Sequence, residues 1–80
     1  MKITTLFFGI SSDLVGNSQL EISIENQTTV ADFKNILKEE YGKLEKLNSY
    51  AIAVNEEYAT DEFIIKENDI VAVIPPVSGG

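Results

Sequence analysis

The stretch Ile70-Val71-Ala72-Val73-Ile74 decides the fold of this chain, because no polar residue interrupts it and β-branched residues dominate it. A strand of this composition is usually buried on both faces, so we predict a central position in a sheet, with both faces covered. Pro75 and Pro76 follow directly and lack the amide hydrogen that a sheet ladder needs, so the strand ends at residue 74. Upstream, residues 66–69 are polar and predict a turn.

The N-terminal third predicts an antiparallel pair of strands. Residues 2–8 are rich in β-branched and aromatic side chains and end at Gly9. Residues 20–25 alternate strictly between apolar and polar side chains, the pattern of a half-buried strand. Between them, residues 10–17 contain several turn-forming residues and are interpreted as a loop.

One convincing helix is predicted after the second strand. Thr29 is a good N-cap, and Asp32 stands three residues later in the capping-box position. Gly42 is placed to end the helix in a left-handed conformation. From the N-cap onward, apolar side chains recur at helical spacing and predict one buried stripe. It is formed by Val30, Phe33, Ile36, Leu37, Tyr41 and Leu44.

A third strand is predicted at residues 51–54, followed by a turn at residues 55–57. Residues 63–65 are apolar, but their structure is left open. A helix laid across one face of a mixed sheet buries both, so the fold class is α+β. We divide the chain into a domain at 1–74 and a flexible tail at 75–80.

Composition limits the possible functions of these 80 residues. Thirteen acidic and six basic residues give a net charge of −7, which disfavours nucleic-acid binding and favours basic partner surfaces. Neither Cys nor His is present, and there is no phosphate-binding glycine loop, so an independent enzyme is rejected. The acidic pairs at 39–40, 56–57 and 61–62 are interpreted as solvated surface, so we expect neither a metal site nor a bound cofactor.

The N-terminal apolar run is too short for a secretory signal, and no segment approaches the length of a membrane span. We therefore expect a cytoplasmic protein with no membrane association.

The last six residues are the most informative for function. Pro75 and Pro76 favour an extended exit from the domain, and Gly79 and Gly80 end the chain with no side chain. Glycine lets a backbone pass where a Cβ would collide, so this tail suits a narrow channel in another protein. A free carboxylate is a poor electrophile, so Gly80 would need activation by a partner enzyme before a sulfur or amine nucleophile could attack it.

The chain resembles the family of molybdopterin synthase small subunits over its whole length. The resemblance is carried by Leu6-Phe7-Phe8-Gly9, Ala51-Ile-Ala-Val-Asn-Glu-Glu-Tyr58, Lys66-Glu-Asn-Asp69 and Val71-Ala-Val-Ile-Pro-Pro-Val-Ser-Gly-Gly80. The Pro-Pro-Val-Ser-Gly-Gly ending is specific, because the related thiamine-pathway carriers usually lack the two prolines. The resemblance implies a β-grasp, ubiquitin-like fold.

It also implies a function as a sulfur carrier in molybdenum cofactor biosynthesis. An ATP-dependent activating enzyme would adenylylate the carboxylate of Gly80, which would then become a thiocarboxylate. The tail would insert into the large subunit of molybdopterin synthase and donate sulfur to the pterin precursor. Two small subunits on a dimer of large subunits would form a heterotetramer, in which this chain has no catalytic site of its own.

The resemblance assigns roles to individual residues. Gly80 would carry the reacting group, Gly79 would give clearance, Val77 and Ser78 would line the channel, and Pro75 and Pro76 would aim the tail. An apolar docking patch is expected at Phe8, Tyr58 and Ile74. Position 74 departs from the family, which often has an aromatic residue there.

Two alternatives remain open from the sequence. A ubiquitin-like modifier, or a carrier serving another pathway, would use the same Gly-Gly tail. A plain interaction domain would not need the tail, and deletion of its two terminal glycines would leave its function intact.

Overall fold

The computed structural model describes residues 1–47 and 49–76. Within them, five strands form one mixed sheet in the order β2-β1-β5-β3-β4. The elements, in chain order, are β1 (Lys2–Phe7), α1 (Ile10–Val15), β2 (Gln19–Ser23), α2 (Val30–Glu40), a 3-10 helix (Gly42–Lys46), β3 (Ala51–Val54), β4 (Glu57–Tyr58) and β5 (Ile70–Ile74). The predicted α+β class is confirmed.

Strand β5 lies in the middle of the sheet, as its composition predicts. It pairs in parallel with β1, where Leu6 faces Ala72, and antiparallel with β3, where Ala53 faces Ala72. On the outer side of β1, strand β2 pairs antiparallel and brings Ile3 opposite Ile22, which confirms the predicted N-terminal pair. The strand that leads into the tail is therefore held on both sides.

Helix α2 begins and packs as predicted. The Thr29 hydroxyl accepts a hydrogen bond from the Asp32 amide at 3.2 Å, and the Asp32 carboxylate accepts one from the Thr29 amide at 3.4 Å. This reciprocal capping box satisfies two amides that a helix N-terminus otherwise leaves unpaired. The buried face of α2 joins the core-facing side chains of the strands in one cluster, which includes Val30, Phe33, Leu37, Ile3, Ile52, Val71 and Val73.

Two predictions about helices are wrong. The region predicted as a loop after β1 contains α1, which the Ser11 and Ser12 hydroxyls support by donating to the carbonyls of Phe8 and Gly9. Gly42 does not end α2 in a left-handed conformation: Tyr41 is the cap residue, and Gly42 begins the 3-10 helix. Leu44 in that helix is buried, so the tight turn extends the apolar stripe of α2 into the core.

The prediction that β5 is covered on both faces is also wrong. Val71 and Val73 point into the core and are fully buried, but Ala72 and Ile74 are only half-buried and Ile70 is 45% exposed. The sheet is thus covered by α2 on one face and leaves an apolar surface on the other. Among the described residues, no helix is long and apolar enough to cross a membrane.

Candidate functional site: an apolar groove beside the tail

The uncovered face of the sheet carries a groove of about 580 Å³. All three residues predicted as a docking patch, Phe8, Tyr58 and Ile74, line it. They come from three separate parts of the chain, at the ends of β1 and β5 and in β4, and they meet because β1, β5, β3 and β4 follow one another in the sheet. The remaining lining residues, which sequence reasoning missed, are Leu6, Ala53, Asn55, Glu56, Ile70 and Ala72.

Strand periodicity places the central lining side chains. Successive side chains of a strand point to opposite faces, so Leu6 lies on the groove side while Phe7 is buried in the core. Beyond the end of β1, the Phe8 amide donates to the Val73 carbonyl at 3.2 Å, so the pairing with β5 continues by one residue. This bond holds Phe8 at the groove, where 49% of its surface remains exposed.

Small side chains make the floor of the groove. Ala53 and Ala72 face each other across the β3–β5 pair, and Tyr58 faces Ala53 from β4. Two alanines between larger neighbours leave a depression, and Tyr58 stands at its edge with 75% of its surface exposed. Exposed aromatic and aliphatic side chains gathered on one surface mark an interaction site more often than isolated ones do.

The tail leaves the domain beside this groove. Pro75 and Pro76 line a second, smaller hollow of about 330 Å³, which Tyr58 and Ile74 share with the groove. Gly9 adopts a positive φ of 54°, and a Cβ at this position would lie 3.4 Å from the Cγ of Pro75. The positive φ therefore favours glycine at position 9, which lies against Pro75 at the exit of the tail.

The residues predicted to react and to enter a channel, Val77, Ser78, Gly79 and Gly80, lie outside the described residues. Their roles stay predictions. The described chain ends at Pro76 and gives the position from which the tail starts.

A hydrogen-bond network fixes the other end of the groove. The Asn55 side chain accepts from the Ile70 amide and donates to the Asp69 carboxylate, both at 2.9 Å. The second oxygen of Asp69 accepts from the Lys66 amide at 2.8 Å, which closes the predicted turn at residues 66–69. These bonds join the turn after β3 to the start of β5.

Charged side chains are sparse among the described residues that line the groove. Glu56 is the single charged side chain among the described residues that line it. In the smaller hollow, burial raises the pKa of the Tyr50 phenol above its usual value of 10.0. Within residues 1–47 and 49–76, no three acidic side chains come together as a possible metal site.

Comparison with known proteins identifies the family. The model of the ThiS family matches residues 5–80. The chain belongs to the ThiS family. It is 35% identical over 83 residues to the molybdopterin synthase sulfur carrier subunit of Caenorhabditis elegans, with 100% of this chain and 99% of that protein covered. The resemblance recognised in the sequence is thus confirmed.

Solved structures confirm the β-grasp, ubiquitin-like fold. A putative molybdopterin converting factor, subunit 1, from Pyrococcus furiosus is 26% identical with a TM-score of 0.86, over 96% of this chain and 99% of that chain. A complex of subunits 1 and 2 of molybdopterin-converting factor from Helicobacter pylori contains a chain that is 27% identical with a TM-score of 0.70, covering 100% of both chains. SAMP1 from Haloferax volcanii, at 21% identity, has a TM-score of 0.86 over 100% of both chains, a likeness in fold alone.

Proposed function

We propose that this chain is the sulfur-carrier subunit of a molybdopterin synthase. The observation that carries the proposal is the similarity along the whole chain to proteins of that name, at 35% identity for the Caenorhabditis elegans protein. The groove adds a physical reason. The domain presents an apolar surface directly beside the base of its tail, as a carrier delivered to a partner requires.

The large subunit of the synthase would dock on the groove. A relative bound to subunit 2 in the Helicobacter pylori complex supports a partner of this kind. Phe8, Tyr58 and Ile74 would supply the central apolar contacts, because aromatic and aliphatic anchors provide most of the binding energy of an interface. Pro75 and Pro76 would then direct the tail into the partner, with Val77 and Ser78 along a channel.

The chemistry would take place on Gly80, with Gly79 giving the backbone clearance. ATP would convert the carboxylate into an acyl-adenylate and release pyrophosphate, within an activating enzyme. A sulfur nucleophile at the oxidation state of hydrosulfide would attack the acyl carbon, displace AMP and leave a thiocarboxylate. The thiocarboxylate sulfur would form a carbon–sulfur bond on the pterin precursor as a carbon–oxygen bond there breaks and the oxygen leaves. Water would then cleave the acyl–sulfur bond and restore the carboxylate.

Further features belong to the same proposal. The product, molybdopterin, contains a dithiolene, a group with two sulfur atoms, so two loaded carriers would be used for each molecule made. Two carriers on a dimer of large subunits would form the heterotetramer. ATP would be used by the activating enzyme and not held by this chain, and the reaction would take place in the cytoplasm without nucleic acid or membrane.

Intact-protein mass spectrometry tests the carrier function. The chain is incubated with its activating enzyme, ATP and a sulfur donor, beside a chain that lacks Gly80. We expect a mass gain equal to the replacement of one oxygen by sulfur in the complete chain only. An unchanged mass, with the enzyme active on a control carrier, would overturn the proposal.

A ubiquitin-like modifier is the second candidate, because SAMP1, the small archaeal modifier protein 1 of Haloferax volcanii, has the same fold. In that case the amine of a target lysine would attack the activated Gly80. Peptides that carry the chain's terminal glycines on lysine, found in cell extracts after proteolysis, would favour this function.

A chain without Gly79 and Gly80 that still restores molybdenum cofactor synthesis would instead favour the plain interaction domain.

A further inference from the structure

Glu56 lies in a backbone conformation that favours glycine. It is the second residue of the two-residue turn between β3 and β4, with φ at 72°, and Asn55 before it has φ at 51°. Positive φ at both central residues is typical of a type I′ hairpin turn, in which Asn followed by Gly is the preferred sequence. Asn tolerates this region of φ, whereas Glu adopts it at a cost in free energy.

Local contacts explain why Asn occupies position 55 but not why Glu occupies position 56. The Asn55 side chain is bonded to both Ile70 and Asp69, so its identity serves the fold. The Glu56 carboxylate takes part in none of the side-chain hydrogen bonds and neither of the two ion pairs found among residues 1–47 and 49–76. Asn48 and residues 77–80 carry no cationic side chain that could bind it.

Glu56 lies where a partner docked on the groove would meet it. Its side chain lies at the end of an otherwise uncharged groove, with Glu57 next in sequence and Asp69 bonded to the neighbouring Asn55. In the free protein, water solvates the carboxylate. A partner that covered the groove would remove part of that water, and an unpaired, partly buried carboxylate would then oppose binding.

We propose that Glu56 pairs with a Lys or Arg side chain of the subunit that docks on the groove. The inference rests on the proposed function and adds the chemistry of the partner surface to it. A second copy of this chain fits the groove poorly, because the net charge of −7 makes two copies repel each other. A cationic side chain offsets both the local charge and the desolvation of the carboxylate.

The proposed ion pair of Glu56 fixes how the partner lies along the groove. Ile70, at the start of β5, lies at the Glu56 end, and Ile74, at the end of the same strand, lies at the tail exit. Four residue steps of a strand cover about 13 Å. The partner's cation would therefore lie about 13 Å from the entrance of the channel that receives the tail.

Binding to the large subunit, measured at low and high salt, tests the inference with two variants of Glu56. Glu56→Gln removes the charge but keeps the size and the strain. We expect it to weaken binding about fivefold at low salt, with a smaller difference at high salt, as for a partly exposed charge pair. Glu56→Gly should weaken binding to the same extent and raise Tm by about 4 °C, because it also relieves the backbone.

Gln27→Gly is the matched control. Gln27 has a φ of 65° and lies in a turn outside the groove, so this change should raise Tm similarly and leave binding unchanged. Equal binding of wild type and Glu56→Gln at every salt concentration would overturn the inference while leaving the proposed function intact. A wild-type chain that fails to bind the large subunit would instead overturn the docking on which both rest.

Discussion

Asn55 and Ile70 bind each other through two hydrogen bonds. The Ile70 backbone amide donates to the Asn55 side-chain oxygen at 2.9 Å, and the Asn55 backbone amide donates to the Ile70 carbonyl at 2.8 Å. These bonds join residues that are fifteen positions apart in sequence. They fix the β3–β4 hairpin against the first residue of the central strand, and so hold one end of the groove in place.

Replacing Asn55 should therefore destabilise the domain. Asn55→Ala removes the side-chain bonds and keeps a residue that is strained at positive φ, so we expect a loss of about 2 kcal/mol in the free energy of unfolding. Asn55→Gly loses the same bonds but relieves the backbone, so its loss should be smaller. Urea denaturation of both variants measures the difference, and equal losses would show that backbone strain has no part in it.

Thr5 offers a stabilising substitution. Its side chain is fully buried in β1, and its hydroxyl has no hydrogen-bond partner in the described part of the chain. Thr5→Val keeps the shape and removes the unpaired group, so we expect a gain of about 1 kcal/mol in the free energy of unfolding. In the matched variant Thr28→Val, the lost hydroxyl donates to the Glu25 carbonyl at 2.7 Å, so stability should fall. A loss in both variants would contradict the expectation for Thr5.

Tyr50 should make stability depend on pH in alkaline solution. Burial raises the pKa of its phenol above 10.0, so the folded state holds the proton more tightly than the unfolded state. The unfolded chain then binds fewer protons, and the stability present below pH 10 decreases as the pH rises through the raised pKa of the folded state. In Tyr50→Phe this part of the decrease should be absent. Denaturation midpoints measured from pH 9 upward on both chains give the comparison, and identical slopes would count against a raised pKa.

Tyr58 should contribute to docking without contributing to stability. It is 75% exposed in the free protein, so Tyr58→Ala should leave the denaturation midpoint nearly unchanged. As a central aromatic contact of the proposed interface, its loss should weaken binding to the large subunit by roughly tenfold or more. Phe63→Ala is the control, because Phe63 is also partly exposed but lies beside the N-terminus of α2, where its carbonyl accepts from the Val30 amide. A similar loss of binding in both variants would argue against a specific role for the groove.

The elements with strong periodicity could be predicted from sequence. Helix α2 and its capping box follow from Thr29, Asp32 and the apolar spacing, and the central position of β5 follows from its uninterrupted apolar composition. Helix α1 could not be predicted, because Ser11 and Ser12 favour loops in general and here stabilise a short helix through bonds to preceding carbonyls.

The groove shows where the same reasoning fails. The composition of β5 alone predicts that Ile70, Ala72 and Ile74 are buried in the core, because an apolar side chain gives no sign of what covers it. A partner surface and a protein core favour the same residues, and only the three-dimensional position of α2 on the opposite face separates the two. Phe8, Tyr58 and Ile74 came from the family resemblance, whereas Glu56 needed the backbone angle that only the structure gives.

The tail continues directly from β5, which is bonded to β1 on one side and to β3 on the other. In the proposed function, a tail that has given up its sulfur would be drawn back out of a narrow channel, and the pulling force would act along β5 and be shared by the hydrogen bonds on both of its sides at once. Bonds that share a load in shear resist far better than bonds that open one after another. The domain would therefore act as a mechanical anchor for its own tail, and the tail would leave the partner without unfolding the sheet.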